Sequence, residues 1–245
     1  MRKTAMILGI PVDSITMQEA LEKVMSFLGK DKPHAVYTPN AEIIMAARRD
    51  PFLAGILRQA DMLTADGAGV VLASRILGNP LPEKVSGIDL VKGMLPLCVK
   101  LNARFFFFGS KPGVAETAAE NLRKVYSGLE VAGFRNGYFT AEEEEDIISS
   151  INSSGADILL VALGAPKQEK WIHEHKDRLK VKVCIGVGGS LDVFAGKAKL
   201  APEFFRRNGL EWLYRLYREP WRFRRMLDLP RFILRVILER ICLSR

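Results

Sequence analysis

Between residues 5 and 187, short and wholly apolar runs alternate with segments of helical pattern, which leaves a chain of 245 residues few folds to choose from. The runs cover residues 5–10, 35–38, 62–65, 104–108, 129–134, 158–163 and 183–187. A strand that is apolar on both faces must be covered on both, and strands separated by helices run parallel. The expectation is an α/β fold: a Rossmann-like, mainly parallel sheet with helices on both faces. Helix-start chemistry supports it. Thr16 with Glu19 and Thr140 with Glu143 have capping-box spacing, and Asp50 precedes Pro51 as an N-cap precedes a proline at the first helical position. The acidic run 142–146 is then a solvated first turn that the helix dipole favours.

Composition changes near residue 200. Residues 203–245 hold 11 arginines and no lysine against five acids, so this segment carries +6 of the chain's formal +8. Trp212, Tyr214, Tyr217, Trp221, Phe223 and Phe232 are interleaved with the arginines. The expected division is an α/β domain over 1–200 and a basic, helical, amphipathic appendage over 201–245. That appendage has helices at 209–219, from Pro220, and from Pro230 to about 243. On one helical grid Arg215, Arg218, Arg222 and Arg225 share a face. Ile233, Val236, Ile237 and Ile241 form an apolar stripe on the last helix. A basic, aromatic helical segment suits an anionic surface, and a membrane surface fits better than nucleic acid because the body is near neutral. No stretch approaches the roughly 18 apolar residues that span a bilayer. The opening apolar run ends at Asp13 without a small-residue cleavage pattern and reads as a first strand. Cys98, Cys184 and Cys242 form no paired motif, and they read as buried free thiols of a protein in a reducing compartment, peripheral on the inner face of the membrane.

In an open parallel sheet, ligands collect at the carboxyl ends of strands, where helix N-termini offer free N–H groups. Three such ends are marked by glycine: Gly109 to Gly113, Gly164 to Glu169, and Gly186 to Asp192. Together they suit a shared nucleotide-phosphate cleft. Gln168 and Glu169 supply an amide and a carboxyl to the second turn, and Gly188, Gly189 and Asp192 make the third. Neither GxGxxG nor GxxxxGK[ST] is present, which argues against a dinucleotide-dependent oxidoreductase. Two further turns carry reactive candidates: Thr38 and Asn40 after one strand, Asp66 before two glycines after another. Lys84 and Asp89 follow. Asn40, Asp66 and Asp89 also read as helix N-caps, a role compatible with facing a cleft.

At these residues the chain resembles the TagA/WecG/CpsF glycosyltransferases. The runs TPNAEII, ADGAGVVLASRILGNPLPEKVSGIDL, FFFFGSKPG, LGAPKQEKW and GVGGSLDVFAG carry the likeness, which spans about residues 5–200. It is nearest to the branch that builds the wall teichoic acid linkage unit. The resemblance implies transfer of N-acetylmannosamine from its UDP donor to the 4-hydroxyl of N-acetylglucosamine on undecaprenyl diphosphate. N-acetylmannosaminuronic acid or glucose is the alternative sugar. The family's TPN falls on Thr38 and Asn40, its ADG on Asp66, and its PKQE on Gln168 and Glu169. Lys84 stands where the family pattern has arginine, which keeps the charge but loses the planar fork.

The resemblance implies an inverting reaction with one base, for which Asp66 is favoured over Glu169 and Asp89. Without a DxD pair, no metal or other cofactor is expected. Lys84, helix N-termini, and Arg215, Arg222 and Arg225 folding over the cleft would stabilise the departing diphosphate. The expected partners are the UDP-sugar, the lipid-diphosphate acceptor and an anionic membrane surface, with no nucleic acid. A homo-oligomer is compatible with the residues.

Overall fold

A computed structural model of the protein describes residues 2–220 and 223–243, and the backbone alone of Arg224 and Arg225. The chain opens with two antiparallel strands, β1 (Thr4–Ile7) and β2 (Ile10–Asp13), followed by α1 (Met17–Leu28) and β3 (His34–Tyr37). Then come α2 (Ala41–Arg49), α3 (Pro51–Arg58), β4 (Met62–Leu63), α4 (Ala68–Ile76), α5 (Gly87–Leu101), β5 (Phe105–Gly109), α6 (Val114–Val125) and β6 (Val131–Arg135). The second half holds α7 (Glu144–Ser154), β7 (Ile158–Ala162), α8 (Lys167–His175), β8 (Val183–Gly186) and α9 (Ser190–Phe194). The basic segment forms α10 (Glu203–Arg207), α11 (Glu211–Arg218), α12 (Phe223–Met226) and α13 (Asp228–Leu243).

Strands β3 to β8 make one parallel sheet in the order β4-β3-β8-β7-β5-β6. Its strands are buried on both faces because alternate side chains feed two cores. Phe106, Phe108, Leu159, Val161 and Cys184 pack with α2, α3, α4, α7, α8 and the β1–β2 hairpin. Phe105, Phe107, Ile158, Leu160 and Ile185 pack with α1, α5, α6 and α9. Both capping boxes form, and Asp50 accepts from the backbone of Phe52 and Leu53 with Pro51 at the helix start. The acidic run lies in exposed first turns, where Glu143 and Glu145 pair with Arg135 and Arg178.

Three expectations need correction. The run 5–10 is not one strand of the main sheet, because Leu8 and Gly9 turn with positive φ and fold it into a hairpin. Asp13, read as the end of the run, is buried and accepts from Arg2 and from the Leu63 amide (2.8 Å), which ties the hairpin to β4. Cys98 and Cys184 are buried free thiols, but Cys242 is exposed. On α13 the stripe divides between two faces. Val236 is buried with Phe232 in the core against α2 and α4 and Ile233 packs half-buried beside them, while Ile237 and Ile241 face outward with Leu234 and Leu238. The helix begins at Asp228, whose carboxylate takes a two-pronged bond from Arg49 of α2 (2.8 and 3.0 Å). The compositional break near residue 200 therefore marks the end of the strand–helix alternation, not the end of the core.

Candidate active site

All strands of the parallel sheet end at one edge, and the turns leaving that edge carry the candidate residues. Asp66 follows β4 and is fixed by its own amide, which donates to the Pro39 carbonyl in the turn after β3 (3.1 Å). The sequence suggests Asp66 as an N-cap, but the cap of α4 is Gly67 and no side chain serves it. Among the described residues no donor bonds the Asp66 carboxylate. Burial is the largest influence on it and raises its pKa from 3.8 to about 6, with Arg215 and Lys84 opposing the rise and Glu211 and Asp89 adding to it. A desolvated carboxyl without a hydrogen-bond partner, poised near neutrality, is suited to accept a proton.

Asp89 is likewise not the cap of α5. Ser86 is, and its hydroxyl donates to the Asp89 carboxylate (2.5 Å) in the first turn. Asn40 does cap α2, with Oδ1 accepting from the Ile43 amide (3.0 Å). Thr38 lies against Gly87, where a Cβ would stand 2.9 Å from the threonine hydroxyl, so the turn after β3 and the start of α5 meet closely.

On the other half of the edge, Gly109 has φ +129°, and a Cβ there would stand 2.4 Å from the Ala162 backbone. Only glycine permits that approach of β5 to β7. The next residue, Ser110, donates its hydroxyl to Asp192 of α9 (2.9 Å), which links the first and third glycine turns. Gly189 precedes α9 as its N-cap, and the Gly188 amide donates to Gln168 Oε1 (2.9 Å). Gln168 and Glu169 are both buried, Glu169 with only 1% of its surface exposed.

The tail returns to this edge. Glu211 of α11 forms an ion pair with Lys84, and one helical turn on, Arg215 exerts the strongest of the charge effects on Asp66. Two residues that sequence reasoning passed over thus belong to the constellation. Ser110 lies inside a turn that the sequence marks only by its glycines, and Glu211 is one of five acids in the basic segment. Of the expected shared face of arginines, Arg215 and Arg218 lie on α11 and both are exposed. Arg222 and the side chain of Arg225 lie outside the described residues, as does Trp221.

Comparison with known proteins matches residues 5–245 to a family described as the glycosyl transferase WecG/TagA/CpsF family. The chain belongs to that family. The match runs through the basic segment as well as the sheet, beyond the extent of about 5–200 read from the motifs. Among similar proteins, one from Bacillus spizizenii is 36% identical over 212 residues, spanning 86% of this chain and 82% of the relative. One from Staphylococcus aureus strain MRSA252 is 34% identical over 232 residues, spanning 94% and 91%. Both relatives are named N-acetylglucosaminyldiphosphoundecaprenol N-acetyl-beta-D-mannosaminyltransferase.

Proposed function

We propose that this glycosyltransferase moves N-acetylmannosamine from UDP-N-acetylmannosamine to the 4-hydroxyl of N-acetylglucosamine on undecaprenyl diphosphate. The observation that carries the reading is the desolvated Asp66 carboxylate at the strand edge, with no hydrogen-bond donor among the described residues, flanked by Lys84 and by Arg215 of the returning tail. Asp66 takes the proton of the acceptor hydroxyl as that oxygen attacks the anomeric carbon, and UDP leaves on the opposite side. Lys84, Arg215 and the free N–H groups at the starts of α6 and α8 oppose the charge growing on the leaving diphosphate. Thr38, Asn40, Gln168 and the turns at Gly109 and Gly188 line the donor site. Supplying a panel of UDP-sugars with a lipid-diphosphate acceptor tests the reading. Transfer confined to UDP-N-acetylmannosamine supports it, and preference for UDP-N-acetylmannosaminuronic acid or UDP-glucose replaces the donor.

The pKa of Asp66 sets a pH dependence. A base must be unprotonated, so kcat/KM is expected to fall about tenfold per pH unit below pH 6 and to level off above pH 7. A flat profile from pH 5 to 8 would remove Asp66 from the role. Metal independence is the second expectation. Among the described residues no group of three or more His, Cys, Asp or Glu side chains converges as a metal site. Transfer should therefore persist in excess EDTA, and a strict requirement for magnesium or manganese would overturn the assignment of charge stabilisation to Lys84 and Arg215.

The tail also suits an anionic membrane surface, where the lipid acceptor resides. No helix among the described residues is long and apolar enough to cross a bilayer. The outward face of α13 presents Leu234, Ile237, Leu238 and Ile241, with exposed Arg231 and Arg235 beside them. Apolar side chains flanked by arginines match an interface of acyl chains and phosphates. Helices α10 and α11 serve as a strap that leaves the end of the α/β pattern and carries Glu211 and Arg215 over the cleft.

A further inference from the structure

Glu169 sits in the first turn of α8 and is almost wholly buried, as is Gln168 beside it. Its Oε1 accepts from Gln168 Nε2 (2.9 Å), and its Oε2 is buried with no partner among the described residues. The neighbouring amide is held from the other side as well. Gln168 Oε1 accepts from the Gly188 N–H (2.9 Å), and the amide lies so close to β8 that a Cβ at Gly186 would stand 2.7 Å from Nε2. The backbone of Glu169 is itself fixed, since its carbonyl accepts from the buried Tyr37 hydroxyl of β3 (3.3 Å).

These bonds allow one orientation of the Gln168 amide. Turned over, its NH2 would face the Gly188 N–H and its oxygen would face the Glu169 carboxyl, which sets donor against donor and acceptor against acceptor. In the observed orientation one Nε2–H is spent on Glu169, and the second has no acceptor among the described residues. Burial also raises the pKa of Glu169, and the hydrogen bond from Gln168 opposes that rise.

We propose that Glu169 is a positioning residue rather than a second base: it locks the Gln168 amide so that the amide's remaining N–H and the Gly188 turn are presented together to the diphosphate of the nucleotide-sugar donor. The inference rests on the proposed donor class and deepens it. It makes an acceptor at Glu169 Oε1, not a titrating group, the property that matters.

The test compares Glu169→Gln, Glu169→Ala and Gln168→Ala for UDP affinity by calorimetry and for transfer kinetics across pH. Glutamine at 169 still offers an oxygen to Gln168, so Glu169→Gln should keep UDP affinity and kcat within about threefold and leave the pH profile unmoved. Glu169→Ala frees the amide and should weaken UDP binding and raise the donor KM by about tenfold or more, with a smaller change in kcat. Gln168→Ala should give the same signature, and the double variant should be no worse than either single one, because both remove one unit. An inactive but folded Glu169→Gln, or one whose pH profile is displaced, overturns the proposal and makes Glu169 a base. Unchanged UDP affinity in Glu169→Ala overturns it as well. Should Glu169→Ala fail to fold, Glu169→Gln and Gln168→Ala still decide, since the proposal requires the first to be near wild type and the second to lose UDP. UDP binding is scored apart from transfer, so a different donor sugar would abolish wild-type transfer yet leave the effect on UDP readable.

Discussion

Replacing Asp66 by asparagine is expected to lower transfer by roughly 10²–10⁴-fold while leaving UDP affinity near wild type and raising thermal stability. The loss follows from basicity alone, because asparagine has the shape of aspartate and the Asp66 side chain makes no capping bond that could break. The gain follows from linkage. A carboxyl whose pKa rises from 3.8 unfolded to about 6 folded favours the folded state only while protonated. That advantage is complete below pH 3.8 and disappears as the pH climbs through 6, so at neutral pH the charged carboxylate burdens the fold. The shift caps the burden at about 3 kcal/mol. Asparagine carries no charge, so Asp66→Asn should melt a few degrees higher than wild type at pH 7.5 and show no such advantage near pH 4. Thermal melts at the two pH values together with initial rates check both halves. More than about a tenth of wild-type rate would move the base to Asp89.

The second large effect concerns residues 201–245. Truncation near Ala201 looks harmless on the sequence pattern, since the strand–helix alternation is complete by then, but the structure predicts otherwise. It removes Phe232 and Val236 from the core, each contributing roughly 1.5–3 kcal/mol of burial, together with the Arg49–Asp228 clasp. Against a total stability of about 5–15 kcal/mol, the truncated body should melt far lower than the full chain as well as lose activity. Point variants separate the roles of the tail. Arg215 is exposed, so Arg215→Ala should change stability little and cut transfer about tenfold or more on both a lipid acceptor and a water-soluble one. Charging the outer face of α13, for example by Ile237→Asp with Ile241→Asp, should abolish binding to anionic vesicles and transfer to the lipid acceptor. It should spare the soluble acceptor. An Arg215→Ala enzyme fully active on the soluble acceptor would end the idea of a strap completing the site. Vesicle binding that survives the α13 changes would end the docking role of that face.

The parallel sheet was legible because its strands are apolar at every position, which only a sheet covered on both faces accommodates. The run of four phenylalanines shows this directly, with Phe105 and Phe107 feeding one core and Phe106 and Phe108 the other. The amino-terminal hairpin was not, because its turn falls inside a continuous apolar run and is marked only by Gly9. Caps were legible where a reciprocal partner three residues on defines them, as at Thr16 and Glu19. They shifted to Gly67 and Ser86 where several polar or small residues crowd one turn. The inward face of α13 was hidden because the helix is apolar on two sides, and periodicity does not say which side the core takes. Lys84 and Asp66 were identified from motifs, whereas Glu211 was invisible, since its role depends on α11 folding back across a distance of more than 120 residues of sequence.

The central claim is that the nucleotide-sugar occupies the carboxyl edge of the parallel sheet beneath the returning strap. Hydrogen exchange of the 245-residue chain with and without UDP tests it most directly. The account predicts slowed exchange in the turns at residues 38–42, 64–69, 109–113, 164–169 and 187–192, and in α11 where Glu211 and Arg215 face the site. Protection confined to the groove between the β1–β2 turn and α2–α3, lined by Leu8, Arg48 and Arg58, with the strand-end turns unchanged, would contradict it.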